Sequence, residues 1–309
     1  MDPVIVIGAG LSGVACAQQV RSVGRDVIVL ERGRTPGGRM AVREIAGRPV
    51  DTGASYFTVS DPTFESVVSG WTDRGLAHRW TDTFDVFDHG VRGDPKVGNH
   101  RWAAPLGLCS LVEDLAAGLD VQRHTVESVT NGQAGLRVDG RPASAVALAM
   151  PDPQAQRIVE PASPTHSALA DAFEPVLALS AGWLARTWAD NFDGPFDGAF
   201  VNGDDHLAWI ADDGQRRGDG AAVLVAHSTP ALAAAHLDAP QDATAQMLAT
   251  LTSLLGIPDG PQWTHVHRWS FARPTGTREA THYLGDDNVG VCGDAWSQRP
   301  RVEAAYLSG

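Results

Sequence analysis

The feature that most constrains this chain is a glycine-rich turn between a strand and a helix at its N-terminus. Residues 4–7 (Val-Ile-Val-Ile) form a continuous β-branched run, as expected of a strand buried on both faces of a parallel sheet. Gly8-Ala-Gly10-Leu-Ser-Gly13 follows directly, residues 11–23 have helical spacing, and residues 26–30 (Asp-Val-Ile-Val-Leu) predict a second strand. Strand, turn, helix and strand in this order form a complete βαβ unit.

In that context the turn predicts a dinucleotide-binding site. The first glycine permits the tight turn, the second lets a pyrophosphate approach the backbone, and the third lets helix and strand pack closely. The helix then offers unpaired N–H groups and a positive dipole at Leu11 and Ser12. Glu31 closes the second strand, where a carboxylate accepts ribose hydroxyls, and this favours FAD or NAD over NADP. The alternative is a structural turn with a solvated Glu31.

Composition narrows the class of protein. The chain has 309 residues, 43% of them hydrophobic, which suits one large domain or two interleaved domains. A net charge of −13 disfavours nucleic acid as a partner, and the absence of a long apolar run predicts no membrane span. The three cysteines match no metal spacing, so no metal is expected, and their sparse, odd count together with the lack of a basic leader favours the cytoplasm.

Two segments favour FAD over NAD. Residues 31–40 (Glu-Arg-Gly-Arg-Thr-Pro-Gly-Gly-Arg-Met) resemble the extension that follows the dinucleotide motif in flavin amine oxidases and their relatives. In that family the glycine pair runs along FAD and the arginine faces its phosphates. Residues 289–294 (Val-Gly-Val-Cys-Gly-Asp) resemble the short strand whose terminal acid contacts the flavin ribityl chain. The resemblance therefore implies non-covalent FAD contacts at Arg32, Gly37, Gly38, Arg39, Met40, Gly293 and Asp294.

More specific segments resemble the renalase-like flavoproteins. They are residues 51–58 (Asp-Thr-Gly-Ala-Ser-Tyr-Phe-Thr), 101–108, 267–273 (His-Arg-Trp-Ser-Phe-Ala-Arg), and the terminal Arg301-Val302-Glu-Ala-Ala-Tyr-Leu-Ser-Gly. The resemblance implies that the Val126 backbone contacts adenine, and that the helix starting near Arg301 and Val302 directs its dipole at the flavin. Ser55 departs from the family pattern, which has glutamine there.

Renalase-like enzymes oxidise the 2- and 6-dihydro isomers of NAD(P)H, pass hydride to flavin, and reduce dioxygen to hydrogen peroxide. The resemblance therefore implies a reduced nicotinamide dinucleotide isomer and O2 as partners, and catalytic-site positions at His267, Trp269, Tyr56 and Phe57. Such a hydride transfer needs orientation rather than a general base. The alternatives are an amine oxidase or desaturase-like dehydrogenase, a monooxygenase reduced by NADPH, and a non-catalytic FAD-binding protein.

The expected fold class is α/β, with a Rossmann-type FAD-binding domain interleaved with a mixed α+β substrate domain, as in p-hydroxybenzoate hydroxylase. Residues 1–60, 98–155 and 280–309 would form the FAD-binding domain, and 61–97 and 156–279 the substrate domain. Residues 121–129 and 135–138 predict paired strands around an Asn131-Gly132 turn. Asp204-Asp205 and Asp212-Asp213 are expected to be solvated turns, and Trp183, Trp188 and Trp209 core residues of the substrate domain.

Overall fold

The computed structural model describes residues 1–133, 135–192 and 194–309. The described residues form four sheets: two large ones, each the centre of one structural unit, a three-stranded sheet and a two-stranded sheet. In chain order the strands are β1 (Val4–Ile7), β2 (Val27–Glu31), β3 (Val42–Ile45), β4 (Arg48–Asp51), β5 (Phe57–Thr58), β6 (His78–Asp88), β7 (Val91–Arg92), β8 (Lys96–Ala103), β9 (Asp120–Arg123), β10 (Val129–Gly132), β11 (Gly135–Val138), β12 (Arg141–Pro142), β13 (Ala145–Leu148), β14 (Phe173–Gly182), β15 (Gly198–Asn202), β16 (Leu207–Asp212), β17 (Val223–Ser228), β18 (Trp263–Pro274), β19 (Tyr283–Leu284) and β20 (Val289–Val291). The three-stranded sheet consists of β10, β11 and β12, and the two-stranded sheet of β3 and β4.

The helices connect these strands and cover the sheets. In chain order they are α1 (Leu11–Ser22), α2 (Pro62–Asp73), α3 (Cys109–Ala116), α4 (Asp152–Ala155), α5 (Pro164–Ala168), α6 (Asp213–Arg217), α7 (Pro230–Ala235), α8 (Thr244–Leu255) and α9 (Val302–Ser308). Short 3₁₀ turns occupy Gly38–Met40, Thr187–Asn191 and Pro240–Ala243.

The first unit is built on a sheet in the order β19-β20-β13-β1-β2-β9. All its strand pairs are parallel except β19 with β20, so the central strand β1 is buried on both faces. This explains the unbroken apolar run at residues 4–7. Helices α1, α3 and α9 pack together beside this sheet, and the first βαβ unit is present as the sequence predicted.

The second unit is a larger mixed sheet in the order β18-β14-β17-β16-β15-β6-β8-β5, with β7 paired to β6. One face packs against α7 and α8 around a core that includes Leu179, Ile210 and Leu251, all fully buried. Trp183, Trp188 and Trp209 are buried as expected, at 9%, 0% and 8% exposure. The opposite face turns toward the first unit.

The domain boundaries stay a prediction. The strands of each large sheet come from the following parts of the chain. The first sheet takes its strands from residues 4–31, 120–148 and 283–291. The second sheet takes most of its strands from residues 78–103 and 173–274, and β8 crosses the expected boundary between residues 97 and 98. Strand β5 at residues 57–58 also joins the second sheet, because it pairs with β8.

The strand expected at residues 121–129 is wrong. The structure has two strands there: β9 extends the first sheet beside β2, while β10 pairs with β11 in a separate small sheet. Asn131 and Gly132 lie within β10 and pair with Leu136 and Gly135, so the reversal falls after them. The Asn-Gly signal identified the hairpin but placed its turn too early in the chain. Ala134 lies outside the described residues.

The expectation that Asp212-Asp213 is a solvated turn is also wrong, because both carboxylates are fully buried. Asp213 accepts one hydrogen bond each from Arg48, Arg216 and Arg217. Asp212 caps α6 by accepting from the Gln215 amide at 2.9 Å, and it also pairs with Arg186. By contrast, Asp204 accepts two amides of its own turn, as a turn aspartate is expected to do.

Asp51 completes a buried ionic cluster that links the two units. Its carboxylate binds Arg217 at 2.6 Å and Arg216 at 2.9 Å, and it accepts the Leu108 amide at 2.9 Å, just before α3. We call Asp51, Asp213, Arg216 and Arg217 the buried ionic cluster; their side chains are at most 2% exposed. Each ion is compensated by a partner of opposite charge, and burial of such a set is tolerable only on that condition.

Among the described residues, the helices are too short or too polar for any of them to traverse a bilayer.

We predict that Asp213→Asn destabilises the protein by about 3–5 kcal/mol, because it leaves buried arginines without their carboxylate. The measurement is the free energy of unfolding from urea titration. Asp205→Asn, in the exposed turn, is the matched control and should change that free energy by less than about 0.5 kcal/mol. Equal effects of the two substitutions would contradict the role assigned to the cluster.

Candidate functional site

The glycine turn has the geometry that its sequence predicts. Gly8 has a φ of +107°, and a Cβ there would lie 2.5 Å from the Ala149 carbonyl oxygen. A Cβ on Gly13 would lie 1.9 Å from the Gly8 carbonyl oxygen, so the third glycine is required by close packing. At Gly10 the nearest atom to such a Cβ is 3.8 Å away. The packing of this structure therefore does not account for the second glycine, whereas an approaching ligand would.

The start of α1 presents polar groups that lack protein partners. The first amides of any α-helix have no intrahelical acceptor, and Gly10, before α1, provides no side-chain cap. The Ser12 hydroxyl is buried and has no hydrogen-bond partner among the described residues. Leu11 is 4% exposed and anchors this turn in the core. These groups fit a phosphate ligand, which would accept from them.

Glu31 is fixed beside the turn. Its two carboxylate oxygens accept the Ala9 amide at 2.7 Å and the Gly33 amide at 2.6 Å. Each oxygen keeps a further lone pair, so the carboxylate can still accept ribose hydroxyls. The neighbouring Arg32 is exposed.

The second glycine segment lies directly against the first. The Gly37 amide donates to the Ala9 carbonyl at 2.9 Å, and a Cβ on Gly38 would lie 3.1 Å from the Gly10 Cα. Both Gly37 and Gly38 have positive φ, which allows the segment to turn here. Met40 is buried and holds the following residues in the core of the first unit.

Arg39 joins this segment to the C-terminal Gly-Asp corner. Its guanidinium binds Asp294 through both terminal nitrogens, with one N–O distance of 3.0 Å. The same Nη1 donates to the Ala272 carbonyl of β18 at 3.0 Å. Residues more than 230 positions apart in sequence therefore meet at one arginine. Gly8–Gly13, the glycine pair and Asp294 belong to one region, as a dinucleotide lying across them requires.

The chain around α9 is held firmly. The Gly293 amide donates to the Ser308 hydroxyl at 2.8 Å. Arg301, just before Val302, donates to the Ser60 hydroxyl at 2.7 Å, and Glu303 accepts the Ser60 amide at 2.6 Å. These contacts fix α9 against residues 60–61, while its dipole acting on a flavin stays a prediction.

Val126 lies in an irregular segment after β9, and its backbone N–H and C=O make no hydrogen bond with the described residues. Two free backbone groups suit the donor and acceptor pattern of an adenine edge. Together with Gly10, Ser12 and Glu31, they make the residues present here fit FAD.

His267 and Trp269 lie on one face of β18, with ring centroids 4.6 Å apart. The Trp269 indole donates to the Thr52 carbonyl at 2.7 Å. A Cβ on Gly53 would lie 2.0 Å from the Arg39 carbonyl oxygen and 3.3 Å from the Trp269 ring. Gly53 therefore allows the indole to lie close to the Arg39 segment, and the His267 ring lies against that indole.

Burial lowers the pKa of His267 to about 4, and the positive charge of Arg43 acts in the same direction. His227, which the sequence did not single out, has a pKa lowered to about 4 by burial and by Arg273. Both imidazoles are neutral near pH 7. They can accept or donate hydrogen bonds but are weak bases.

Tyr56 and Phe57 point to different places. Phe57 is 2% exposed and packs in the core of the first unit, with its ring 5.8 Å from Phe64. Tyr56 is only partly buried and packs against Trp209, at 5.6 Å between ring centroids. The structure therefore brings Tyr56, but not Phe57, to the face of the second sheet that turns toward the first unit. We call this face the inner face.

Strand register shows which residues share that face. Directly paired residues of neighbouring strands project to the same side of a sheet. Successive pairings across β18, β14, β17, β16 and β15 therefore define a row, which we call the inner row: His267, Ala178, His227, Trp209 and Phe200. The intervening residues belong to the core under α7 and α8. The inner row therefore lies on the face whose tryptophans contact Thr52 and Ser55.

Ser55 connects the inner row to the buried ionic cluster. Its hydroxyl accepts the Trp209 indole N–H at 3.1 Å, and its carbonyl accepts from Arg216 at 2.9 Å. Sequence reasoning missed the cluster, although Asp213 stands three and four residues before two adjacent arginines. That spacing brings side chains together on a helix and was the available signal.

Comparison with known proteins relates the first unit to dinucleotide-binding enzymes. The family model for the NAD(P)-binding Rossmann-like domain matches residues 6–71. Over 61 residues the chain is 44% identical to phytoene dehydrogenase of Streptomyces griseus. That match covers 20% of this chain and 12% of the relative, so most of the relative has no counterpart in the comparison.

Similarity to solved structures extends over nearly the whole fold. A putrescine oxidase bound to putrescine superimposes with a TM-score of 0.74 at 17% identity, covering 99% of this chain and 96% of that one. The cyclohexylamine oxidase from Brevibacterium oxydans IH-35A gives a TM-score of 0.75 at 16% identity, with the same coverage. These likenesses establish the fold and confirm the expected fold class.

We predict that Gly10→Ala weakens FAD binding at least about tenfold while leaving the apoprotein folded, because its Cβ has space in the protein but would meet the pyrophosphate. The measurement is the FAD dissociation constant by flavin fluorescence, beside the melting temperature of the apoprotein. Gly132→Ala, on an open strand position, is the control. Unchanged FAD affinity in Gly10→Ala would contradict this placement of the pyrophosphate.

Proposed function

We propose that this chain, an FAD-dependent oxidoreductase of the amine oxidase and desaturase type, is a renalase-like oxidase. Its substrates would be dihydropyridines, in particular the 2- and 6-dihydro isomers of NAD(P)H. Its products would be NAD(P)⁺ and hydrogen peroxide. FAD, when bound, would supply the hydride acceptor, and dioxygen would be the final electron acceptor.

The observation that carries this proposal is the contact between the His267 and Trp269 rings, with the Trp269 indole close to Gly53 and the Arg39 segment. Loss of hydride from a dihydropyridine leaves an aromatic cation, so no proton has to be removed. A neutral His267, whose pKa is lowered to about 4 by burial, suits a site that positions substrate rather than deprotonates it. Trp269 is held by its bond to Thr52 and offers a fixed aromatic surface.

The inner row supports a planar substrate. Trp209 and Phe200 lie side by side, with centroids 5.2 Å apart, and Tyr56 packs onto the same group. Aromatic side chains of this kind stack or make edge contacts with planar rings. A pyridine nucleotide has such rings, whereas a linear polyamine has none.

An amine is the second candidate substrate, because the fold matches putrescine oxidase and cyclohexylamine oxidase. The chain has a single lysine, Lys96. Its ammonium lies 5.9 Å from the Phe200 ring centroid, on the inner face. A cation at this place would repel a second cation, which disfavours a polyamine. A protein that binds FAD without turnover is the non-enzymatic candidate.

We predict that 6-dihydro-NAD rapidly bleaches the flavin absorbance of the FAD-loaded protein under anaerobic conditions, while putrescine does not. Ordinary NADPH is the control donor and should reduce the flavin at least about a hundredfold more slowly, because its hydride carbon sits elsewhere on the ring. Stopped-flow absorbance measures the rates. Bleaching by putrescine alone would indicate an amine oxidase, and bleaching by NADPH alone would indicate a monooxygenase. If no donor bleaches the flavin, the protein is the non-catalytic FAD-binding protein.

We predict that the rate constant of this reduction changes less than about threefold between pH 6 and pH 8. The lowered pKa of His267, about 4, keeps the imidazole neutral throughout that range. His267→Gln should lower the rate but keep the flat profile. A tenfold rise for each pH unit above pH 6 would instead reveal a general base and contradict the hydride mechanism.

A further inference from the structure

We propose that Arg101, together with Tyr56 and Lys96, recognises an anionic group, a phosphate or a carboxylate, on an aromatic substrate. This inference deepens the proposed function and rests on its assumption that substrate binds at the inner face. It adds a charge requirement that neither hydride transfer nor FAD binding imposes.

Arg101 is a buried cation that forms no ion pair with a carboxylate among the described residues. The residue is 6% exposed, and its Nη1 has no hydrogen-bond partner among the described residues. No described carboxylate forms an ion pair with it. The other most deeply buried arginines differ, because Arg216 and Arg217 each contact Asp51 and Asp213. Arg101 therefore lacks the close carboxylate partners that Arg216 and Arg217 have, and its Nη1 is left without an acceptor.

An unpaired buried charge is costly, by several kcal/mol after relaxation. The Phe84 ring offsets part of this, since the Arg101 guanidinium carbon lies 4.0 Å from its centroid. Burial nevertheless lowers the pKa of Arg101, with the charge of Asp82 acting in the opposite direction. Proteins retain such a group where a bound anion supplies the missing charge and acceptors.

The surroundings of Arg101 form a cationic and aromatic site. Tyr56 lies near enough that the Arg101 charge acts against the burial that raises the phenol pKa. Lys96 lies over Phe200, and strand pairing places Lys96 beside Phe84 on the same face. Two positive charges and a phenolic hydroxyl therefore converge where aromatic rings also lie.

The site has an approach from solvent. Residues 96–100 of β8 are exposed, and Gly98 stands over the guanidinium: a Cβ there would lie 3.3 Å from Arg101 Nη2. The missing side chain leaves one side of the arginine uncovered. Because guanidinium donors are planar and forked, they match the two oxygens of a carboxylate or phosphate. In a nicotinamide nucleotide the anion would be a phosphate.

The test is equilibrium binding to the oxidised, FAD-loaded protein, followed by perturbation of the flavin spectrum. Two ligand pairs separate the possible anions: nicotinamide mononucleotide against nicotinamide riboside, and nicotinate against nicotinamide. We expect the anionic member of one pair to bind at least about tenfold more tightly than the neutral member. This factor corresponds to the free energy of one hydrogen bond to a charged group. The pair that discriminates identifies the anion as phosphate or carboxylate.

Arg101→Gln and Arg101→Met should abolish that preference. Arg101→Met keeps the aliphatic stem over Phe84, and its melting temperature should not fall because it removes an unpaired charge. Arg79→Gln is the matched control: Arg79 is an exposed arginine over Trp102 at 5.5 Å on neighbouring β6, and its loss should leave the preference intact.

Equal binding within both pairs, or a preference that survives Arg101→Met, would overturn the proposal. Flavin reduction plays no part in these titrations. Failure of the hydride screen and failure of anion recognition are therefore separate results.

Discussion

Two carboxylates and two guanidiniums, buried where the units meet, hold this molecule in its arrangement. Asp51 ends the β3–β4 hairpin, whereas Asp213, Arg216 and Arg217 come from the short helix α6. Because none of these charges is stable in a dry interior alone, the two units have to meet in the one register that pairs them all. Asp51 also accepts the amide at the start of α3, which extends the constraint to the first sheet.

The same interface positions the candidate site. Ser55 follows Asp51 by four residues and is bound through its carbonyl to Arg216 and through its hydroxyl to Trp209. Tyr56 follows Ser55 directly, so the contacts of Asp51 and Ser55 position Tyr56 at the inner face.

Local sequence was sufficient to predict the N-terminal βαβ unit, because each of its features depends on neighbours in the chain. The glycine turn, α1 and Glu31 follow from spacing alone, and the Gly-Asp corner at Asp294 from resemblance. Non-local pairing was not predictable in this way. Asn131-Gly132 has strong turn propensity, yet strand pairing continues through it. The segment around Asp213 has the composition of a solvated turn. The burial of Asp213 depends on the arginines that surround it in space.

Arg39 touches three parts of the chain at once: the glycine pair that precedes it, Asp294, and the carbonyl of Ala272 at the far end of β18. A shift of the strand that carries His267 and Trp269 would therefore act on Arg39, which also holds Asp294. Thermodynamic linkage makes such a connection reciprocal. If a ligand bound beside β18 changes the affinity for a ligand bound beside Asp294, the second ligand changes the affinity for the first by the same factor.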